Sequence, residues 1–300
     1  MIDDNQKHFI GELLARKCSE KVATLRFNAV GGASINQTFK VLFNGDRSFF
    51  CKVNSASKYP GFFLAEKKGL ELIAKQNSIR TPVVIACWED SEFQVLILEW
   101  IATGTATPAF WRSFGQQLAE LHRVRTEAEN EKPIFGLSYD NYMGSLFQSN
   151  KPAESWEEFF IEQRLLPQIE LAHNSKLLSA SEVKRFSGLF KRLSDIIPPS
   201  TPSLLHGDLW SGNFCCDQMG RPILIDPAVY FGYRMMDLAM TRLFGGFHEL
   251  FYQAYAEEFP LPENFLEQCD ICNLYPLLIH LNLFGSSYRS AISHTIARFQ

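Results

Sequence analysis

His206-Gly207-Asp208-Leu209-Trp210-Ser211-Gly212-Asn213, followed thirteen residues later by Asp226 in Ile223-Leu224-Ile225-Asp226-Pro227-Ala228, is the stretch from which the fold can be read. Short apolar runs at Ser203 to His206, Phe214 to Asp217 and Ile223 to Asp226 predict three small strands around it. An Asp, an Asn five positions on and a second Asp beyond a strand pair is the order in which phosphoryl-transfer enzymes place a base and two magnesium ligands. Such a transfer needs an acceptor hydroxyl aimed and relieved of its proton, and hard oxygen ligands that hold Mg²⁺ across the phosphates. Asp208 would serve the hydroxyl, while Asn213 and Asp226 would hold the metal. Taken alone, the same residues also suit Asx side chains capping loops at hairpin ends, so the upstream sequence has to decide.

Upstream, from Val22 to Trp100, the pattern is mostly that of strands. Val22 to Val30 is β-like, Thr38 to Phe43 alternates, Asn44-Gly45 is a hairpin turn signal and Ser48 to Val53 returns as its partner. A helix is predicted from about Phe62 to Gln76, after Pro60-Gly61, and strands at Val83 to Trp88 and Phe93 to Trp100 flank a polar turn. Gly31, Gly32, Ala33 and Ser34 lie between two of these strands, where small residues let backbone N–H groups approach phosphates. Neither the dinucleotide-binding nor the Walker-type glycine fingerprint is present. Lys52 sits among apolar neighbours in the third strand and needs a partner if it points inward; Glu66, on the following helix, is the candidate. A strand-three Lys paired to a helix Glu is how kinases position the α/β-phosphates. Glu99, Trp100 and Ile101 would form the linker whose backbone meets adenine. Glycine loop, Lys, helix Glu, linker, Asp, Asn and Asp thus follow the order of the protein-kinase-like fold.

Beyond Thr103-Gly104-Thr105-Ala106-Thr107-Pro108 the chain turns helical. Phe110, Phe114, Leu118 and Leu121 share one helix face, Ser155-Trp156-Glu157-Glu158 reads as a capping box opening a helix to about His173, and Ser179 with Glu182 opens another. The expected architecture is therefore α+β and two-lobed: residues 1–101 as a five-stranded antiparallel sheet with one helix, and residues 102–300 as a mainly helical lobe. The 300 residues are 46% hydrophobic, with 29 Lys+Arg against 33 Asp+Glu, and the net charge of -4 lacks the basic surplus that nucleic-acid binding favours. No export signal is visible at the acidic Met1-Ile2-Asp3-Asp4 start, so a cytoplasmic location is expected. The uncharged run Ile271 to Tyr288 is broken by Asn273, Pro276, His280, Asn282 and Gly285, which favours a buried helix over a membrane span. Seven scattered cysteines suit free buried thiols, and Cys269 and Cys272 suit apolar helix positions better than a metal pair.

With these residues in view, the chain resembles the fructosamine (ketosamine) kinases, within the wider aminoglycoside- and choline-kinase-like phosphotransferases. The resemblance spans nearly the whole chain and rests on Gly31 to Lys40, Phe135 to Asn150, Ser155 to Leu165, Leu204 to Asn213, Ile225 to Arg242, Leu243 to Phe247 and Leu277 to Tyr288. It implies ATP- and Mg²⁺-dependent phosphorylation of a sugar hydroxyl on a fructosamine, ribulosamine or glycated protein, with Asp208 as proton acceptor. Aminoglycosides or amino alcohols are the alternative acceptors, and a nucleotide-binding module without turnover is the alternative from another class. The protein-kinase activation segment is missing, because Asp226-Pro227-Ala228 leads directly into helical sequence. Trp210, His280 and Asn282 are the polar and stacking groups expected near the acceptor, whereas Arg164, Asp140, Asn141 and His206 are expected to be structural ties. Two departures stand out: Ser34 replaces a cysteine carried by some relatives, and Met235 and Met236 stand where a Glu is common before Asp237.

Overall fold

The computed structural model describes residues 2–31, 35–125 and 134–299. Its contacts divide the chain into two compact units, Met1–Thr105 with Cys215–Asp226, and Ala106–Phe214 with Pro227–Gln300. The first unit therefore contains a late segment that the single cut expected near residue 101 does not separate out.

The first unit opens with α1 (Asp4–Cys18), a helix the sequence reading leaves out. Its apolar stripe is narrow, since only Ile10, Gly11 and Leu14 are buried, but Asp3 and Gln6 form a reciprocal capping box at its start. Then follow β1 (Leu25–Ala29), β2 (Gln37–Phe43), β3 (Arg47–Ser55), α2 (Phe62–Lys75), β4 (Val84–Glu89) and β5 (Phe93–Glu99). The strands make one antiparallel sheet in the order β1-β2-β3-β5-β4, as expected. Phe43 pairs with Arg47, so the turn is Asn44-Gly45-Asp46, in which Asn44 and Gly45 take the positive φ that these residue types tolerate best.

The pleat decides which side each residue serves. Cys51 and Val53 of β3 and Val95 and Ile97 of β5 pack with Ile10 and Leu14 of α1. Leu96 and Leu98, on the opposite face of β5, pack with Phe63 and Leu70 of α2. Lys52, between Cys51 and Val53 and paired with Leu96 across the ladder, consequently faces α2.

In the second unit, α3 (Pro108–Leu121) carries Phe110, Phe114, Leu118 and Leu121 on its buried face. Two short strands the sequence reading does not anticipate, β6 (Asn141–Met143) and β7 (Leu146–Gln148), form a hairpin. The helix capped by Ser155 is present but not uniform: α4 (Trp156–Phe159) runs through a π-helical turn, Phe160–Leu165, into α5 (Leu166–Asn174). The helix opened by Ser179 and Glu182 is α6 (Ala180–Phe190), with the full capping box, and α7 (Leu193–Ile196) follows. Next come β8 (Ser203–Leu205), then β9 (Phe214–Cys216) and β10 (Pro222–Leu224), a hairpin belonging mostly to the first unit. The unanticipated β11 (Tyr230–Gly232) pairs with β8. The remainder is helical: α8 (Met235–Leu243), α9 (Glu249–Glu258), α10 (Phe265–Cys272), α11 (Leu274–Phe284), a 3₁₀ turn at Ser286–Tyr288, and α12 (Arg289–Arg298).

The run from Ile271 to Tyr288 is thus not one helix, because Asn273 ends α10 and Gly285, at φ 92°, ends α11. Among the described residues no helix is long and apolar enough to cross a membrane. Phenylalanines fill the second unit: Phe110, Phe114, Phe214, Phe247 and Phe251 interlock with centroid distances of 4.9 to 6.0 Å. Helices α3 and α9 meet at Gly115, where an added Cβ would lie 2.2 Å from the Phe251 carbonyl oxygen. Only a residue without a side chain permits that approach.

Candidate active site

In the first unit, Lys52 is 2% exposed and its ammonium lies 2.7 Å from Glu66 Oε1 and 2.5 Å from Asp226 Oδ1. Burial alone would depress its pKa, but the charges of Asp226 and Glu66 outweigh it and hold the group above lysine's ordinary value. Glu66 moves the other way from a surface carboxylate: burial raises its pKa, with Lys52 opposing. The expected Lys52–Glu66 pair is present, and Asp226 joins it. The Asp226 side chain is 44% exposed and its backbone sits at φ 54°, a conformation rare for a non-glycine residue and common where strain serves a site.

The hairpin that carries Asp226 is fastened within the same unit. Leu224 donates its N–H to the Arg80 carbonyl (2.9 Å), Gln218 to Ala102 (3.1 Å), and Gly104 to Cys216 (2.8 Å). Arg80 also forms ion pairs with Glu99 and Asp217. Glu99 accepts the Val83 N–H through its other carboxylate oxygen, so its side chain braces the linker. Trp100 stacks a face under the Lys40 ammonium at 4.4 Å, and Ile101 continues the segment. Of the glycine loop, Gly31 is exposed, while Gly32, Ala33 and Ser34 lie outside the described residues.

In the second unit, Asp208 and Asn213 meet directly. The Asn213 amide donates to the Asp208 carbonyl at 2.8 Å and to its carboxylate Oδ2 at 2.9 Å, which leaves the Asn213 Oδ1 as an oxygen donor for a hard cation. The turn before Asp208 requires glycine: Gly207 sits at φ 84°, and a Cβ there would come within 2.0 Å of the Ala228 carbonyl oxygen. His206, fully buried, donates its backbone N–H to Asp237 (2.7 Å) and takes the Asp208 N–H on its Nδ1 (3.2 Å). It is an anchor, as its position suggests.

Asp237, on α8, is a residue the motif reading passes over. Its carboxylate accepts the N–H groups of His206 and Gly207 and contacts His122 Nε2 at 3.1 Å. Since a carboxylate only accepts, His122 donates from Nε2 and receives the Tyr255 hydroxyl on Nδ1 at 2.8 Å. Burial keeps His122 below histidine's ordinary pKa. Burial would raise Asp237, but its hydrogen bonds, that from His122 foremost, hold it below the usual carboxylate range. A helix-borne Asp eleven residues after Asp226 is the only sequence signal it offers.

A second buried network lies beside it. Arg164, fully buried on the π-helical turn, donates to Ser149 O at 2.5 Å and Asn150 Oδ1 at 2.6 Å, and is flanked by the Phe159, Tyr230 and Tyr275 rings. Asn150 and Gln148 both donate to Asn141 Oδ1, Asn141 donates to Val229 O, and Asp140 caps the Asn150 N–H. These residues are ties that hold the backbone after Asp226 in place.

Trp210 is 37% exposed, and its indole lies over Gly212, where a Cβ would fall 2.4 Å from the ring. Its ring neighbours Phe244 (6.3 Å), which contacts His280 (4.7 Å), which in turn meets Phe284 and Tyr288. His280 Nδ1 is 2.7 Å from the Pro276 carbonyl, so Nδ1 carries the proton and Nε2 is the acceptor; burial lowers its pKa. The fold thus gathers Trp210 and His280 into one aromatic wall. Asn282 is not in that wall: it donates to the Gln168 carbonyl and side chain and ties α11 to α5.

The oxygen donors suit Mg²⁺, which takes one or two carboxylate or carbonyl ligands plus phosphate oxygens and water. Among the described residues no group of three His, Cys, Asp or Glu is placed to hold a metal.

The chain is similar to several known proteins along nearly its whole length. The sequence profile of the fructosamine kinases matches residues 7–300. A probable ketoamine kinase of Enterococcus faecium is 38% identical over 272 residues, covering 90% of this chain and 94% of that protein. One from Synechocystis is 37% identical over 270 residues, covering 87% and 85%. Among solved structures, a candidate fructosamine-3-kinase of Thermobifida fusca superposes with a TM-score of 0.84 at 30% identity, over 96% of this chain and 97% of that one. A macrolide 2'-phosphotransferase of Brachybacterium faecium shares the fold alone, with a TM-score of 0.61 at 15% identity over 96% and 97%.

Proposed function

Because the chain belongs to the fructosamine kinase family, a family of phosphotransferases, we propose that it transfers the γ-phosphoryl group of ATP to a sugar hydroxyl of a ketosamine, free or on a glycated protein. The observation that carries this reading is the buried Lys52 held between Glu66 and the exposed carboxylate of Asp226. A buried ammonium with a second carboxylate facing outward supplies one cation for phosphate oxygens and one anion for the metal that accompanies them.

The roles follow from the chemistry of each group. Gly31, Gly32, Ala33 and Ser34 would approach the phosphates through backbone N–H groups, and the backbone of Glu99, Trp100 and Ile101 would meet adenine. Asn213 and Asp226 would hold Mg²⁺, which when bound neutralises phosphate charge and orients the transferred group. Asp208 accepts the hydroxyl proton as the acceptor oxygen bonds to the γ-phosphorus and the bond to the β-bridging oxygen breaks, releasing ADP. The Asn213 amide, bonded to Asp208 Oδ2, aims that carboxylate. Trp210 and His280 offer an aromatic face and an acceptor nitrogen to the sugar or its amine.

The test is ATP consumption measured across ribulosamine, fructosamine, aminoglycoside and amino-alcohol acceptors, with Asp208→Ala alongside. Turnover on ketosamines, falling by roughly 10³-fold or more in the mutant, is the expected result. Unchanged turnover in Asp208→Ala would remove the assignment of the base. A preference for an aminoglycoside or amino alcohol would remove the substrate class.

A further inference from the structure

We propose that Arg80 is a positioning residue that locks the adenine linker and the hairpin bearing Asp226 into one piece; this rests on the kinase reading above. Arg80 lies between α2 and β4 and has no place in the motif set. Three of its groups reach two different parts of the first unit. One guanidinium nitrogen pairs with Glu99 at the end of β5, and the other lies 3.4 Å from Asp217 Oδ2 in the turn of the β9–β10 hairpin. Its backbone carbonyl accepts the Leu224 N–H at 2.9 Å, two residues before Asp226, and Arg80 pairs in parallel with Ile223.

Each contact is made to a group that is itself constrained. Asp217, only 5% exposed, accepts N–H groups from Met219 and Arg221 at 2.9 Å and the Arg221 guanidinium at 2.7 Å, so it is rigid within its turn. Glu99 holds the Val83 N–H. A planar fork reaching two fixed carboxylates transmits position in a way that a flexible point charge does not. The stretch 102–104 is laced to the same hairpin by backbone hydrogen bonds, and Gly104 has no room for a side chain, since a Cβ would sit 2.6 Å from the Asp217 carbonyl oxygen. The guanidinium thus ties Glu99 of the linker to Asp217 of the hairpin that leads to Asp226. Because the linker also keeps its own backbone bonds to the hairpin, at Ala102 and Gly104, loss of the guanidinium should be felt chiefly at Asp226, and nucleotide affinity should depend on Arg80 chiefly where Mg²⁺ is involved.

The experiment measures binding of a fluorescent ATP analogue to the full chain with and without Mg²⁺, together with the urea unfolding midpoint of each variant. Arg80→Ala should weaken Mg²⁺-dependent nucleotide binding on the order of tenfold to a hundredfold, in the range seen when groups that orient metal ligands are removed. Binding without Mg²⁺ should change several-fold less. Arg80→Lys, which keeps the charge and loses the fork, should fall between, and Asp217→Asn should reproduce part of the loss and add little on top of Arg80→Ala. Where Arg80→Ala lowers the unfolding midpoint, Arg80→Lys and Asp217→Asn carry the test. Wild-type Mg²⁺-dependent affinity in these variants, or equal losses with and without Mg²⁺, overturns the positioning role. A wild-type chain that binds no nucleotide at all overturns the kinase reading instead.

Discussion

At the scale of single residues, the site is a set of charges that would be too costly to bury if any one partner were removed. Lys52, Glu66 and Asp226 balance one another, and Asp237 collects three donors at once. Asp237→Asn keeps the shape but turns an NH₂ group toward donors, so at least one buried N–H loses its acceptor. We expect a loss of ~1 to 3 kcal/mol in urea unfolding, the range for a buried donor left without its acceptor, and a fall in kcat of roughly 10²-fold from misplacing Asp208. Near-normal stability and kcat would show that the loop before Asp208 holds itself. Lys52, Asp208, Asn213 and Asp226 are legible in sequence because each sits at a fixed spacing within a short segment. Asp237, His122 and Arg80 are not, since their partners lie 31, 115 and 137 positions away along the chain. No local pattern encodes such separations.

Elements show the same division. The capping box Ser179–Glu182 is readable as text, and the structure realises it with Glu182 Oε2 on the Ser179 N–H at 2.8 Å. What the text does not contain is Arg289 of α12, which forks onto both oxygens of Glu182 at 2.7 and 2.6 Å and holds its pKa down at about 2. A depressed carboxyl pKa stabilises the fold above its unfolded value of about 4.3, and that contribution disappears as pH falls through the interval down to about 2. Glu182→Gln should therefore cost roughly 1 kcal/mol at neutral pH, trimmed by the solvent exposure of Arg289, and the difference from wild type should shrink toward pH 2. Unfolding curves from pH 2 to 7 check this; a pH-independent difference would assign the loss to capping alone. Strand alternation in the first unit and the stripe on α3 are local periodicities and are found where they are expected. Helix α1 has too thin a stripe to announce itself, and β6, β7 and β11, three residues each, show no period; β8, β9 and β10 are as short and are found only from the apolar runs around the Asp208 motif.

For the whole molecule, the seven cysteines are free thiols, and Cys51, Cys216, Cys269 and Cys272 are buried. Burial pushes Cys87 and Cys215 to about 11 and Cys269 to about 12, so little thiolate exists at neutral pH. A thiol reagent should leave the four buried cysteines unmodified in the native protein and reach all seven in urea; fast native labelling of all seven would contradict this packing. Sequence by itself determined the two-part α+β organisation, the order of the chemical groups and the family, because these depend on periodicity, turn chemistry and short-range spacing. Tertiary structure alone decided that the hairpin at Cys215–Asp226 belongs with the N-terminal sheet, that Asp226 completes the Lys52 pair, that Asp237 takes the His206 and Gly207 N–H groups, and that Arg80 pairs with Asp217. The reason is physical: a buried charge finds its partner by proximity in space, and proximity across a hundred residues of chain is a property of the folded packing.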